Sequence, residues 1–264
     1  MKEYCGKLAV ITGAASGIGR AIAEHCARSQ MSVVLADIDS PGLAQFAEAL
    51  GLLGVECLPV TTDVSDPEAV ENLAEACFDR FGRVDLLFNN AGILMAGHCW
   101  SHSHEEWQRI LNVNFIGTVN GVRSFVPRIL EQGGEAHIVN TGSIASLLPS
   151  PLLGAYMASK MAVRGLTETL RQELLELDPS IGVSLLCPGP IDTAMTQAAR
   201  TETLDQETRE EMLDKLTPEQ GLEYMAPEKC AQIVFDAIAR KDFWIFTHPE
   251  YKSHISNSYA ELLA

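Results

Sequence analysis

The chain lacks several features that would assign it to a broad class of protein. No apolar run approaches the ~20 residues that a membrane-spanning helix needs. Basic residues are few, because 19 Lys and Arg stand against 35 Asp and Glu, a formal net charge of −16. A nucleic-acid binder needs a basic face, and this balance argues against one. We therefore expect neither a membrane protein nor a nucleic-acid-binding protein.

Paired cysteines and a secretion signal are also missing. The seven cysteines are odd in number and none belongs to a C-x-x-C pair, which favours free thiols in a reducing compartment. The first residues, MKEYCGKLAVITG, enter a strand-like run at once. They show no charged region followed by a long apolar stretch and a small-residue cleavage site, as a signal peptide would. These features predict a cytoplasmic protein.

The chain does contain a regular alternation of short apolar runs and longer helical patterns. Apolar residues make up 47% of the 264 residues, enough for a sizeable core. Continuous apolar runs are typical of parallel strands that are buried on both faces. Strands are predicted at 8–12, 32–37, 55–60, 84–89, 136–141, 182–187 and 243–247, and helices near 17–30, 40–51, 66–82, 104–131, 155–178 and 226–240.

Repeated strand–helix units predict the fold. They form a parallel sheet with right-handed crossovers and with helices on both faces. The expected fold is α/β, a Rossmann-like doubly wound parallel sheet of about seven strands, in a single domain over residues 1–264. The charged segment 193–225 interrupts the alternation after the sixth strand. A long insertion at that end of a strand is usually functional, and we predict a lid over the substrate.

A glycine-rich stretch, TGAASGIGR, follows the first predicted strand and opens the first helix. Its glycines, Gly13, Gly17 and Gly19, have the spacing G-x-x-x-G-x-G rather than the familiar G-x-G-x-x-G. Glycine permits a sharp turn and lets a pyrophosphate or a neighbouring strand approach closely. The amide groups and the positive dipole end of the following helix attract an anion. The stretch therefore predicts a dinucleotide site.

An acidic residue at the end of the second strand favours one nucleotide over another. Asp37 lies 18 residues beyond Gly19, where a carboxylate can accept hydrogen bonds from the adenosine ribose hydroxyls. The same carboxylate would repel a 2′-phosphate, so NAD is favoured over NADP. Arg20 could reach a phosphate, although we interpret it as a solvated helix residue.

Two residues in the stretch GAYMASK predict proton transfer. Tyr156 and Lys160 are four residues apart, which places both side chains on one face of a helix. A nearby ammonium stabilises a phenolate and lowers its pKa towards the operating pH. Ser143 lies 13 residues before Tyr156, just past a predicted strand, and its hydroxyl could hydrogen-bond a substrate oxygen.

With these motifs the chain resembles the short-chain dehydrogenase/reductase family from about Lys7 to Thr247. The matching motifs are T-G-x-x-x-G-I-G at 12–19, N-N-A-G at 89–92, Pro188-Gly189 with a following threonine, and a tetrad of Asn114, Ser143, Tyr156 and Lys160. The resemblance implies that Tyr156 is the acid/base, that Ser143 polarises the substrate oxygen, that Lys160 binds the nicotinamide ribose, and that Asn114 holds a water for proton relay.

The resemblance also implies a set of cofactor contacts. Asp63 and Val64 would contact the adenine, Asn90 would support the loop, and Thr193 would contact the nicotinamide carboxamide. The whole implied set is Gly13, Ser16, Gly17, Ile18, Gly19, Asp37, Ile38, Asp63, Val64, Asn90, Ala91, Gly92, Tyr156, Lys160, Pro188, Gly189, Ile191 and Thr193.

Apolar residues dominate the loops that are expected to surround the substrate, so we predict a hydrophobic secondary alcohol or ketone. The expected substrate contacts are Leu94, Ser143, Ala145, Leu153, Tyr156 and Met195. No metal is expected, although three histidines occur within 98–104. The resemblance further implies a homotetramer, or else a homodimer, with helices 104–131 and 155–178 pairing across a two-fold axis.

Two alternative functions remain open at this point. One is an NADP-dependent ketoreductase that acts on polyketide or acyl thioesters, against which Asp37 argues. The other is a non-catalytic, cofactor-binding protein, since a fold does not dictate a function. The matched tetrad argues against the second alternative.

Overall fold

A seven-stranded parallel sheet forms the centre of the molecule, as seen in a computed structural model that describes residues 3–196 and 224–263. The strands are β1 Leu8–Thr12, β2 Ser32–Asp37, β3 Cys57–Thr61, β4 Leu86–Asn89, β5 Ala136–Thr141, β6 Ile181–Cys187 and β7 Trp244–Phe246. Their order in the sheet is β3-β2-β1-β4-β5-β6-β7, which confirms the predicted Rossmann-like sheet.

Helices connect the strands and cover both faces of the sheet. The α-helices are α1 Gly17–Arg28, α2 Ser40–Gly51, α3 Pro67–Phe81, α4 His104–Leu111, α5 Gly117–Gln132, α6 Gly154–Leu177, α7 Pro227–Arg240 and α8 Tyr251–Leu263. Helix α1 packs against α7, α3 against α5, and α4 against α6.

The structure differs from the predicted helices in two places. The single helix expected over 104–131 is divided, because one π-helical turn, Asn112–Ile116, separates α4 from α5. Helix α8 lies beyond the last predicted element and was not expected. Two strands also begin two residues later than expected, at Cys57 and at Leu86.

Local sequence signals explain where several helices begin and end. Asp66 caps α3 by accepting the Glu68 N–H, and proline follows at the first helical position, as predicted. Ser103 and Glu106 form a reciprocal capping box at the start of α4. Gly82 ends α3 in the left-handed conformation, with φ of 70°.

The sheet separates two apolar cores. Ala9 and Ile11 of β1 face one core, which contains α1 and α7, and Leu8 and Val10 face the other. All four side chains are buried, as expected for a central parallel strand covered on both sides.

The strand order reverses between β1 and β4, which are neighbours although two strands separate them in the chain. Successive crossovers leave this point in opposite directions, which opens a crevice at the carboxyl ends of the strands. The predicted functional residues lie around that crevice.

Candidate active site

A cavity of about 660 Å³ occupies the crevice. It is lined by every residue predicted from the sequence for cofactor, catalysis or substrate, with two exceptions, Gly19 and Asn114. The lining residues from those predictions are Gly13, Ser16, Gly17, Ile18, Asp37, Ile38, Asp63, Val64, Asn90, Ala91, Gly92, Leu94, Ser143, Ala145, Leu153, Tyr156, Lys160, Pro188, Gly189, Ile191, Thr193 and Met195.

The glycines of the loop after β1 have different structural roles. Gly13 has φ of +68°, and a Cβ there would lie 2.9 Å from the Cα of Ala91. A Cβ on Gly19 would lie 2.1 Å from the carbonyl oxygen of Gly13. Gly19 therefore permits α1 to pack closely on the loop, which explains why it does not line the cavity.

The amino end of α1 opens towards the cavity. Gly17 has φ of +52°, and a Cβ there would lie 3.0 Å from Cγ2 of Thr193. Ser16 is the N-cap residue, but its side chain does not cap the helix. The first amide groups of a helix have no partner within the helix, so an anion can bind them.

Asp37 is held at the end of β2 by two backbone amides. Its Oδ2 accepts the Ala15 N–H at 2.9 Å, and its Oδ1 accepts the Asp39 N–H at 3.1 Å. The first bond ties the carboxylate to the glycine loop, so both elements of a dinucleotide site are fixed relative to each other.

Arg20 does not line the cavity. Its Nε pairs with Glu24 at 3.3 Å, and its guanidinium lies over the ring of Phe46, 4.5 Å from the centroid. This agrees with its interpretation as a solvated helix residue.

Thr12 joins the ends of β1 and β4 across the switch point. Its Oγ1 accepts the N–H groups of Asn90 and Ala91 at 2.9 and 3.0 Å. The Asn90 side chain in turn donates to the Thr12 carbonyl oxygen at 3.0 Å. These bonds fix the loop that follows β4 against the glycine loop.

Asp63 and Val64 form the wall beyond β3. Asp63 Oδ1 accepts hydrogen bonds from the N–H and the hydroxyl of Ser65, at 2.9 and 2.7 Å. The carbonyl oxygen of Val64 accepts from Asn120 Nδ2 at 2.9 Å. The turn is thereby held in one shape from both sides.

Lys160 is buried beneath the cavity, one helical turn after Tyr156 on α6. Its Nζ donates to the Thr141 carbonyl oxygen at 2.8 Å and lies 5.8 Å from the centroid of the Tyr156 ring. Burial lowers the pKa of Lys160 to about 8. The ammonium can donate further hydrogen bonds, since it carries three protons.

The phenol of Tyr156 is under two opposing influences. Burial raises its pKa above the ordinary value of 10, and a side-chain hydrogen bond with Ser143 lowers it. The expected lowering of this pKa by Lys160 is not seen, because the opposing influence comes from Ser143 alone and the net shift is upward. Ser143 itself is buried, and its Oγ accepts the Ala145 N–H at 3.1 Å.

Asn114 lies in the π-helical turn, behind the cavity wall. Its Oδ1 accepts the Ile93 N–H at 2.8 Å, and its Nδ2 donates to the Ile93 carbonyl at 2.9 Å and to Ser159 Oγ at 3.0 Å. A Cβ on Gly92 would lie 3.2 Å from Asn114 Oδ1 and 3.4 Å from Lys160 Nζ. Such π-turns are frequent at functional sites.

The turn after β6 closes the cavity on another side. The Pro188 carbonyl accepts the Ile144 N–H at 2.9 Å, and the Gly189 N–H donates to Thr247 Oγ1 at 3.0 Å. Thr193 accepts at its Oγ1 from the Thr196 N–H at 3.3 Å. The predicted lid at 193–225 lies mostly outside the described residues, which resume at Tyr224.

Several lining residues were not predicted from the sequence. Arg109 and Val113 are four residues apart, a spacing that places both on one face of a helix. Val113 also precedes the predicted site residue Asn114, so this spacing could have identified both residues. Tyr251 had none, because it belongs to the unpredicted helix α8. The missed residues are Thr62, Ser65, Arg109, Val113, Thr141, Gly142, Pro149, Ser150, Pro190, Thr196, Tyr224 and Tyr251.

The histidine-rich stretch lies outside the cavity lining. His98 stacks on Trp100 with ring centroids 4.6 Å apart, and His102 Nδ1 lies 3.7 Å from a Glu106 oxygen. Within residues 3–196 and 224–263, no group of three His, Cys, Asp or Glu side chains could hold a metal ion. In the same part of the chain, no helix has the length and apolar character needed to cross a membrane.

Comparison with known proteins defines the class. The family model described as "short chain dehydrogenase" matches residues 7–204. The chain belongs to this family, the short-chain dehydrogenases/reductases, which are oxidoreductases that act on CH–OH groups with NAD(P).

Individual relatives cover nearly the whole chain. A CLA biosynthesis dehydrogenase/reductase of Lactiplantibacillus plantarum is 33% identical, over 97% of this chain and 93% of its own. A short-chain dehydrogenase/reductase from Burkholderia phymatum, whose structure was solved in complex with NAD, is 39% identical in sequence. The two structures superpose with a TM-score of 0.89 over 100% of this chain and 97% of the other. L-sorbose reductase from Gluconobacter frateurii, in complex with NADPH and L-sorbose, is 29% identical in sequence. Its structure has a TM-score of 0.81 over 93% of this chain and 96% of the other.

Proposed function

We propose that the protein is an NAD-dependent oxidoreductase that interconverts a hydrophobic secondary alcohol and its ketone. The single observation that carries the proposal is the meeting of Ser143, Tyr156 and Lys160 with the glycine loop and Asp37 in one cavity. A bound nicotinamide would supply the hydride donor or acceptor, and the residues of the chain would supply orientation and proton transfer.

The residues around the crevice fit a dinucleotide. The close approach of backbone at Gly13 and Gly17 leaves space that any Cβ would fill. The uncapped amides at the start of α1 suit a pyrophosphate. Asp37 supports NAD, since its remaining lone pairs can accept from ribose hydroxyls and its charge would repel a 2′-phosphate.

Tyr156 is proposed to exchange the proton of the substrate oxygen. Ser143 Oγ accepts the Ala145 N–H, which leaves the hydroxyl proton of Ser143 free to be donated to Tyr156 or to the substrate oxygen. Such a bond would hold that oxygen beside the phenol. Proton transfer in a positioned hydrogen bond contributes about 10²–10⁴-fold to a rate.

Lys160 and Asn114 are proposed to serve the proton pathway. Lys160 donates one hydrogen bond to the Thr141 carbonyl, so the other two N–H groups of its ammonium can donate to a ribose or a water. Asn114 holds Ile93 and α6 in place through three hydrogen bonds at its side-chain amide. We infer that it supports a water between Lys160 and solvent.

The substrate end of the cavity is mostly apolar, which supports a hydrophobic substrate. Its apolar lining includes Leu94, Leu153 and Met195, together with Ile93, Ile144 and Leu148. Burying such a surface against an alkyl or ring system is favourable by ~25 cal/mol per Å². These six side chains offer a polyol no hydrogen-bond partners.

A substrate screen tests this proposal. The purified protein would be mixed with NAD⁺ and with 2-octanol, 4-phenyl-2-butanol, cyclohexanol or, as the polar control, sorbitol, and NADH formation followed by absorbance. We expect turnover of at least one of the apolar alcohols and none of sorbitol. Turnover of sorbitol alone would overturn the substrate class, and no turnover despite NADH binding would favour a non-catalytic protein.

The cofactor is tested separately. Titrating the protein with NADH and with NADPH, followed by nucleotide fluorescence, should give the tighter binding for NADH. A preference for NADPH would overturn the assignment to NAD and favour the NADP-dependent ketoreductase.

We further propose a homotetramer. Helix α6 presents a face of small or apolar residues, Ala158, Met161 and Gly165, that are exposed in the single chain. A solvated helix face would be charged. A partner helix from a second copy would cover this face.

A further inference from the structure

Ser146 lies behind the proposed site and does not line the cavity. It is fully buried at the end of a short 3₁₀ turn, Ile144–Ser146, that follows Ser143. Its Oγ accepts the Ser143 N–H at 3.1 Å and donates to the Lys160 carbonyl oxygen at 2.9 Å. One hydroxyl therefore joins the backbones of two of the residues proposed for catalysis.

The two hydrogen bonds connect different elements of the fold. The other hydrogen bonds within the turn, such as Ala145 N–H to Ser143 Oγ, fix its internal shape only. The bond to Lys160 attaches the turn to α6, the helix that also carries Tyr156. A longer contact of 3.5 Å from Arg164 Nη1 to the Ser146 carbonyl supports the same attachment.

The hydroxyl of Ser146 is tightly enclosed. A Cβ on Gly142 would lie only 2.9 Å from Ser146 Oγ, so backbone closes the space on that side. Removing the hydroxyl would leave the Ser143 N–H and the Lys160 carbonyl without this partner. A buried polar group without a partner is energetically unfavourable, so we expect the turn to shift until these two groups find other partners.

We propose that Ser146 is a positioning residue, which sets the Ser143 hydroxyl at hydrogen-bonding distance from the Tyr156 phenol by tying the 3₁₀ turn to α6. This role rests on the proposed function of Ser143 and Tyr156. A shift of less than about 1 Å at Ser143 would weaken the bond between them. A displacement of about 1 Å can lower a rate by about 10²-fold, so a smaller shift is expected to lower it by about tenfold.

A matched control exists in Ser184. It is also fully buried, and its hydroxyl bonds His137 Nε2 at 2.8 Å and the Asp242 carbonyl at 2.6 Å. It lies on β6 and does not line the cavity. Ser184→Ala therefore removes a comparable buried hydroxyl without touching the link between the turn and α6.

The first readout needs no substrate. The five tyrosines would be labelled with 3-fluorotyrosine and followed by fluorine NMR against pH, with Tyr156 assigned from Tyr156→Phe. Since the Ser143 bond lowers the pKa of Tyr156, Ser146→Ala should move its transition to higher pH. Ser184→Ala should leave the transition unchanged. An unchanged Tyr156 transition in Ser146→Ala would overturn the proposal.

The second readout uses an alcohol found in the screen. Ser146→Ala should lower kcat by about tenfold while KM and the NADH dissociation constant stay within about twofold. Equal kcat values for Ser146→Ala and Ser184→Ala would contradict the proposal. If Ser146→Ala does not fold, Ser146→Cys, which keeps a weakly hydrogen-bonding group, carries the same two measurements.

The two proposals fail in different ways. If the screen finds no substrate, the proposed function fails, and the fluorine titration still tests Ser146. If a substrate is found and both readouts are insensitive to Ser146→Ala, the proposed function stands and the positioning role does not.

Discussion

His137 provides a quantitative prediction about stability. Its ring is buried between β5 and β6 and bonded to Ser184, and a Cβ on Gly182 would lie 2.2 Å from its Nδ1. Burial lowers its pKa from 6.5 to about 3. The ring is therefore neutral in the folded protein at a pH where the unfolded chain is already protonated.

The sign and the size of the effect follow from proton linkage. Between about pH 6.5 and about pH 3 the unfolded chain binds the additional proton, so the free energy of unfolding falls as the pH falls. Each pH unit in that window is worth ~1.4 kcal/mol. Through His137 alone, the protein should lose roughly 2 kcal/mol between about pH 7 and about pH 5.

His137→Gln isolates this effect. The glutamine amide can still reach Ser184 but does not titrate. Urea unfolding of both proteins would be followed by far-UV circular dichroism at the two pH values and at one protein concentration. The variant will be less stable at neutral pH, because it repacks the site, but it should lose roughly 2 kcal/mol less on acidification. Equal losses in both proteins would refute the reasoning.

Two further predictions concern the cofactor and the assembly. Asp37→Asn keeps an acceptor for the Ala15 N–H but removes the charge. The NADPH:NADH affinity ratio should rise about tenfold, which corresponds to the loss of about 1.4 kcal/mol of solvent-screened repulsion. Fluorescence titration measures the ratio, and an unchanged ratio would contradict the role of Asp37. Gly165→Glu should convert the proposed tetramer into smaller species in light scattering, whereas Gly51→Glu should not. A Cβ would meet open space at both glycines, so an unaltered tetramer would exclude this face of α6.

Much of the fold was predictable because its determinants are local. The β1 run is apolar throughout, since both faces of the strand are buried, and its limits in the structure are those predicted. Asp66 and Pro67 likewise fixed the start of α3. Such signals depend on residues that are neighbours in the chain, so they can be recognised from the sequence alone.

The features that were missed depend on distant contacts. The π-turn around Asn114 forms where the Asn114 amide binds Ile93 and Ser159, which are remote in sequence. Helix α8 packs through Tyr259 on Arg164, which pairs with Glu168 on α6. Nothing in the periodicity of residues 251–263 pointed to these partners.

In the candidate site, too, the predictable residues are those with a local sequence signal. Tyr156 and Lys160 were found because their spacing in one helix is itself the signal. Ser146 was not, because its importance lies in a bond to the Lys160 carbonyl 14 residues away. The Thr141 carbonyl, which accepts from Lys160 Nζ, could not be predicted either, because a backbone atom carries no sequence signature.

The most direct test of the proposed chemistry is the turnover of Tyr156→Phe with an alcohol identified in the screen, measured beside its NADH dissociation constant. The phenylalanine ring keeps the packing of Tyr156 and removes only the hydroxyl. We predict that kcat falls by about 10²–10⁴-fold while NADH binding changes by less than about twofold. Near-normal turnover by this variant would contradict Tyr156 as the proton-transfer residue.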